Sequence, residues 1–307
     1  MILSADMKSG VFVTTHGLAL DAVIQQVRAA AQAGVSAAWL PQVFGDDALT
    51  TLAVTGREVA DIKLGTAIVP TYPRHPLMLA GQALTAQGAT GGRLTLTVGP
   101  SHRAIIEGAY GYSYDRPVRH VREYLAALAP LLRGESVEYR GETLTAVGAV
   151  NVPGATPPSL MLAALGPAML RLAGELTDGT VTLFTGPRTV ANHVVPTITR
   201  AADKAGRPAP RIVVGLAVCV SDDVPARREL LGSIYTAVGT GGEPSYRAML
   251  DREGVATAVD VAIIGDEKTV EHKLRQYADA GANEFMATLF GTDDENARTL
   301  ELIASFG

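Results

Sequence analysis

With a single cysteine, Cys219, the chain can form no intrachain disulfide, and the apolar run 212–220 around it marks a buried, inert thiol rather than a nucleophile. No apolar stretch approaches the roughly 18 residues of a membrane span, and residues 1–10 lack the apolar core of a signal peptide. The expectation is a cytoplasmic protein without a membrane partner. Basic runs and interleaved aromatics are also missing, and the formal net charge is −5, which argues against a nucleic-acid partner. HExxH, CxxC, GxSxG and Walker patterns do not occur, so the sequence announces no zincin, dithiol, serine hydrolase or P-loop. Aromatics amount to only 5%, whereas alanine and glycine abound, a mixture suited to helices packed closely on a sheet.

What the chain does carry is clearest at 64–103. A buried strand at 64–69 leads through a proline-rich turn into a helix at 76–87, and Gly91-Gly92 turns the chain into a second strand at 94–98. Both strands are almost wholly apolar or Thr, as parallel strands covered on two faces should be. The same βα rhythm precedes this unit, with strands at 10–14 and 37–40 and helices at 21–33 and 48–60. It resumes with strands at 160–164, 180–184, 212–220 and 284–289. The fold expected is α/β, a (β/α)8 TIM barrel in one domain of 307 residues. Three additions are expected: an extension at 1–7, a β-hairpin turning at Arg140-Gly141-Glu142, and an insertion at 221–262 whose segment 239–245 has a lid's composition.

Barrels of this kind place chemistry at the carboxyl ends of their strands. Those ends present Gln42, Pro70, His102, Ala164 and Thr185, too few carboxylates and imidazoles for a metal centre. Lys8, Lys63, Lys204, Lys268 and Lys273 all fall before strands, in loops or on helix faces, so a Schiff-base lysine is not expected. A mouth poor in charge suits a large planar cofactor that brings its own reactivity. For its phosphate the candidate is Leu165-Gly166-Pro167-Ala168, where a helix opens directly after a strand. An ordinary turn built from Gly and Pro reads equally well there.

At these residues the chain resembles the luciferase-like monooxygenase superfamily, in particular its coenzyme F420-dependent oxidoreductases related to methylenetetrahydromethanopterin reductase. The resemblance is carried by Pro73-Arg74-His75-Pro76, Gly91-Gly92-Arg93-Leu94, Glu107-Gly108 and the tract 110–118. It continues in Leu165-Gly166-Pro167, Ala173-Gly174-Glu175 and Asp178-Gly179. It implies a deazaflavin held across the barrel mouth over a cis peptide joining Ala67 to Ile68, with Val69 completing a bulge against the ring. Gly99, Pro100, Ser101 and His102 would lie on one side and Ala164, Leu165, Gly166, Pro167 and Ala168 on the other. Gln42 and Val43 stand where relatives have an acidic residue and a His, which leaves a neutral amide near the ring edge.

His102 is the candidate proton donor, since a His near its ordinary pKa can supply a proton when a hydride arrives. The bland alternative is a His that only hydrogen-bonds its loop. Arg74 and His75 read as a turn and a helix cap, with a contact to the cofactor tail or the dimer seam as the alternative. Glu107 either orients the Ser101-His102 loop or starts a helix, and Trp39 reads as core. His16, His120, His193 and His272 are assigned no chemistry, being placed away from the mouth. The leading expectation is an F420-dependent oxidoreductase acting on a small organic substrate. An FMN-dependent monooxygenase and a non-catalytic cofactor carrier are the alternatives. The resemblance also implies a homodimer through the second and third helices.

Overall fold

The computed structural model describes residues 7–237 and 243–306. Eight parallel strands close into a barrel: β1 (Lys8–Phe12), β2 (Ala37–Leu40), β3 (Lys63–Thr66), β4 (Leu94–Gly99), β5 (Ser159–Ala163), β6 (Gly179–Leu183), β7 (Arg211–Val220) and β8 (Glu284–Leu289). Each pairs with the next in sequence, and β8 closes on β1 with Lys8 opposite Glu284 and Gly10 opposite Met286. The expected βα rhythm is therefore the architecture. β1 begins at Lys8, two residues before the expected start, because the Lys8 N–H already donates to the Asn283 carbonyl at 3.0 Å, and Met7 is buried beneath it.

The helices that matter for the mouth are α1 (Leu20–Ala33), α2 (Ala48–Glu58), α3 (Pro76–Ala89), α4 (Arg103–Gly108), α5 (Pro117–Leu132) and α6 (Pro167–Leu176). α2 starts at the N-cap Asp47, whose carboxylate accepts from the Thr50 N–H, and α3 starts at His75, whose Nδ1 accepts from the Leu77 N–H. The hairpin pairs Val137–Arg140 with Thr145–Gly148 in antiparallel register. Its loop hangs on Glu123 of α5, whose buried carboxylate accepts from the Glu142 and Thr143 N–H groups. Within 221–262 the chain forms helices Val224–Ala237 and Pro244–Glu253; part of the 239–245 segment lies outside the described residues.

The barrel interior is packed, not open. Trp39 is 1% exposed and fills the centre with Met161, Val181, Val213 and Met286. It fits only because two flanking staves carry glycine there: a Cβ on Gly10 would lie 2.9 Å from the indole Nε1, and one on Gly65 would fall under 3.0 Å from three ring carbons. Below it the foot is sealed by polar side chains. Arg211 donates to Glu284 at 2.8 Å and to Ser159 at 3.2 Å. Asp178, just before β6, accepts from the Ser159 hydroxyl and the Leu160 N–H.

Candidate functional site

The mouth is built from the carboxyl ends of four consecutive staves, β2 to β5. β3 pairs Gly65 with Thr95 and resumes as Val69–Pro70, with Val69 opposite Val98: four residues on one side face three on the other. That extra residue makes a bulge at Ala67–Ile68, and the peptide between them is cis. Thr66 substitutes for the interrupted ladder, its hydroxyl donating to the Thr97 carbonyl at 2.9 Å and accepting from the Thr97 N–H at 2.8 Å. Ala67 N–H turns to the Leu40 carbonyl. Ile68 leans over Gly99, where a Cβ would meet its Cδ1 at 2.9 Å, while Val69 is wholly buried in the resumed ladder.

After β4 the chain turns at Pro100 and Ser101, the latter in the left-handed region at φ 63°, which sets His102 at the rim with its side chain 36% exposed. Tyr114 holds this turn by donating to the Ser101 carbonyl at 2.7 Å. Glu107 lies inside α4, where it pairs with Arg103 and accepts from the Tyr114 N–H, so it steadies the loop from below. After β5, Ala164 is buried, and the Leu165 carbonyl accepts from His193 Nε2 at 2.8 Å. Gly166 is the N-cap of α6 and Pro167 its first residue. No side chain caps this start, and a Cβ on Gly166 would meet nothing within 4 Å. Among the described residues, the first-turn N–H groups, from the partly exposed Ala168 onward, thus face an open space.

Gln42 is committed to the rim rather than free. Its Oε1 accepts from the Ala48 N–H at 2.7 Å and from Arg74 at 3.1 Å, and Arg74 also pairs with Asp47. Arg74 and His75 are accordingly a half-buried strut and a helix cap, His75 Nε2 further donating to the Thr145 carbonyl.

Two histidines expected away from the mouth stand beside it. His120 sits on the inner face of α5, hydrogen-bonded to the Thr71 hydroxyl at 3.0 Å and stacked 3.8 Å from Tyr72. Burial pushes its pKa down to about 4, so it is neutral. It lines a cavity of about 660 Å³ with Thr71, Tyr72, Arg74, Tyr124 and Thr145. The Tyr72 hydroxyl is buried without a partner among the described residues, and burial lifts its pKa to about 12. His193, in the π-turn Val190–Val194, fixes the phosphate-loop candidate through Leu165, and burial lowers its pKa. The sequence signal for His120 is its place in the apolar stripe with Val121, Tyr124 and Leu128. A polar ring in that stripe needs a partner inside.

Residues 7–284 match the profile of the luciferase-like monooxygenase family. The chain belongs to that family. It is 29% identical to the 5,10-methylenetetrahydromethanopterin reductase of Methanolobus tindarius over 245 residues, 79% of this chain and 74% of that one. In fold it matches the coenzyme F420-dependent tetrahydromethanopterin reductase of Methanopyrus kandleri with a TM-score of 0.83 at 21% identity, covering 98% of both chains. An F420-dependent secondary alcohol dehydrogenase in complex with an F420–acetone adduct superposes equally, at 0.83 and 17% identity, over 98% of this chain and 99% of that one. These two likenesses concern the fold. Among the described residues no helix is long and apolar enough to cross a membrane.

Proposed function

We propose that this family member is an oxidoreductase that uses coenzyme F420 and passes a hydride between that deazaflavin and a small organic substrate. The observation that carries this reading is the open, uncapped start of α6 at Gly166, beside strand ends walled by Ala67, Gly99 and Ala164. Small walls admit a flat ring, and helix N–H groups without a side-chain cap favour a phosphate, the two recognition needs of a deazaflavin nucleotide analogue. When bound, the deazaflavin supplies hydride transfer at carbon, with little reactivity toward oxygen.

In this reading the Ala67–Ile68 bulge backs the ring, while Gly99, Pro100 and Ser101 form the neighbouring wall. Leu165, Gly166, Pro167 and Ala168 hold the phosphate, and Gln42 fixes the rim at the ring edge through Arg74. His102 supplies the proton that accompanies the hydride, since its side chain is at the rim with access to water. The protein works in the cytoplasm as a homodimer through α2 and α3. A cleft of about 450 Å³ between those helices, with Leu77, Gly81 and the 64%-exposed Met78 along it, supports that assembly.

The test is a titration of the purified protein with oxidised F420 and with FMN, each followed by cofactor fluorescence. The expected result is saturable F420 binding, weakened at least about tenfold by Gly166→Val, since a branched side chain fills the space before the α6 N–H groups. Preferential FMN binding moves the assignment to the oxygen-using members, and no binding of either at micromolar concentration defeats the site.

A further inference from the structure

We propose that Tyr246, brought over the mouth by the helix Pro244–Glu253, is the residue that hands the substrate its proton. His102 lies behind it as the proton's source, and Glu243 is the positioning residue that orients His102. This rests on the oxidoreductase reading above.

The geometry comes from three separated parts of the chain. Tyr246 Oη lies 3.4 Å from His102 Nε2, and the two rings meet edge to face at 5.5 Å. On the other side of the imidazole, Glu243 Oε1 lies 3.7 Å from Nδ1. The Tyr246 ring is wedged edge-on against Phe184, 4.9 Å away, at the end of β6. Both residues that grip the phenol depend on unusual backbone: Ser101, next to His102, has φ 63°, and Phe184 itself has φ 53°. Non-glycine residues held in the left-handed region persist where the surrounding structure over-determines them, often at functional sites. Two such turns, on two different staves, converge on one side chain.

Exposure gives the relay its direction. The His102 side chain is 36% exposed, whereas the phenol lies deeper, where burial lifts its pKa to about 12 and keeps it protonated through the working range. Water therefore reaches His102 first. The imidazolium donates through Nε2 to the phenol oxygen, while the Glu243 carboxylate faces its Nδ1 side as a counter-charge. As the substrate takes a hydride from the reduced deazaflavin, with its two electrons, Tyr246 gives its O–H proton to the substrate atom left with the electron pair. The phenol oxygen takes the Nε2 proton in the same step. His102 is left neutral and regains a proton from water, so the substrate has gained one hydride and one proton and the tyrosine is unchanged. Among the described residues of the adjoining turn, Arg103 and Glu107 of α4 pair with each other and Tyr114 is bonded to the Ser101 carbonyl.

The test has one arm on the protein alone and one on turnover. In the first, imidazole carbon resonances are recorded by NMR at one fixed pH, with His102 assigned through His102→Gln. Glu243→Gln and Tyr246→Phe are each expected to displace the His102 resonances, because each removes a group that lies against one imidazole nitrogen. In the second, oxidation of reduced F420 is followed with a panel of ketone, imine and quinone acceptors, and the fastest is used. Tyr246→Phe is expected to lower kcat about 100-fold or more while F420 affinity holds within twofold. Glu243→Gln should lower kcat as well, with F420 affinity again held within twofold. Tyr246→Phe within threefold of wild type, or unmoved His102 resonances in Glu243→Gln, overturns the relay. Failure of the wild type to bind F420 or to turn over any acceptor overturns the reading beneath it instead.

Discussion

Gly65→Ala is the smallest change that tests the packing beneath the mouth. The new methyl would sit under 3.0 Å from Cε3, Cζ3 and Cδ2 of Trp39, against an ordinary carbon–carbon separation of about 3.5–4.0 Å. The indole cannot retreat, because Gly10 on the opposite stave already lies against its Nε1 and Met161, Val181 and Met286 fill the remaining sides. Overpacking of this kind costs about 1–3 kcal/mol, and the stiffer unfolded chain of an alanine variant returns about 0.4–1 kcal/mol. The expected net loss is about 1–2 kcal/mol. Trp39 is the chain's one tryptophan, so urea unfolding followed by its fluorescence reads both stability and the environment of the displaced ring. Adding Trp39→Phe to Gly65→Ala, with circular dichroism as the probe, should recover at least half of the loss relative to Trp39→Phe alone. A Gly65→Ala protein within about 0.5 kcal/mol of wild type with unchanged emission would refute the account of the glycine pair.

At the barrel foot, Glu284→Gln removes the carboxylate that Arg211 contacts and that offsets its repulsion of Lys63; because Arg211 is one-third exposed, the loss should be near the lower limit for a broken buried pair, about 3 kcal/mol in urea. His120 is held neutral with a pKa of about 4 while the unfolded chain binds its proton near 6.5, so its contribution is full above that upper value and is lost as pH falls toward 4. Unfolding free energies at pH 7.5 and 4.5 should differ by about 2 kcal/mol more in wild type than in His120→Phe. Gly186→Ala would press a methyl into the Glu253 carboxyl, and the helix Pro244–Glu253 should lose amide-exchange protection by about tenfold, some 1.4 kcal/mol, while the barrel strands keep theirs.

The barrel was legible because parallel strands leave a plain mark, short apolar runs bounded by Gly, Pro and Asp, and the closed ring confirms their number and order. Their ends were less legible, since a strand stops where its neighbour stops offering partners: β3 halts at Thr66, where a side-chain hydroxyl takes over the ladder. The fragments that carry the family resemblance divide between fold and site. Arg93 spends its guanidinium on the carbonyls of Gly56, Val59, Ile62 and Thr90, tying α2 to the start of β4, and Asp178 locks the foot of β5. Neither reaches the mouth. Tyr246 and Glu243 left no trace beyond their loop-like surroundings, because the contact with His102 joins residues 144 positions apart. His120 was readable in principle, as a polar ring in an apolar stripe, but its partner Thr71 lies on another element.

One ambiguity in the sequence is resolved only by tertiary structure. Two helices start with Gly-Pro directly after a strand, at Gly166-Pro167 and at Gly186-Pro187, and either start could cradle an anion by local geometry alone. Among the described residues only the first is open. At the second, the Glu253 carboxylate accepts from the Arg188 N–H at 3.2 Å, the Thr189 N–H at 2.8 Å and the Thr189 hydroxyl at 2.7 Å, so an internal anion already occupies the place of a phosphate. Glu253 ends the same helix whose first turn carries Tyr246 over His102. That helix is thus held at its far end by the helix start it stoppers, and its near end is thereby aimed at the rim. Of these two starts the one beside β5 is left for the phosphate of the proposed cofactor, and the side chains of the proposed relay come from the end of β4 and from this helix.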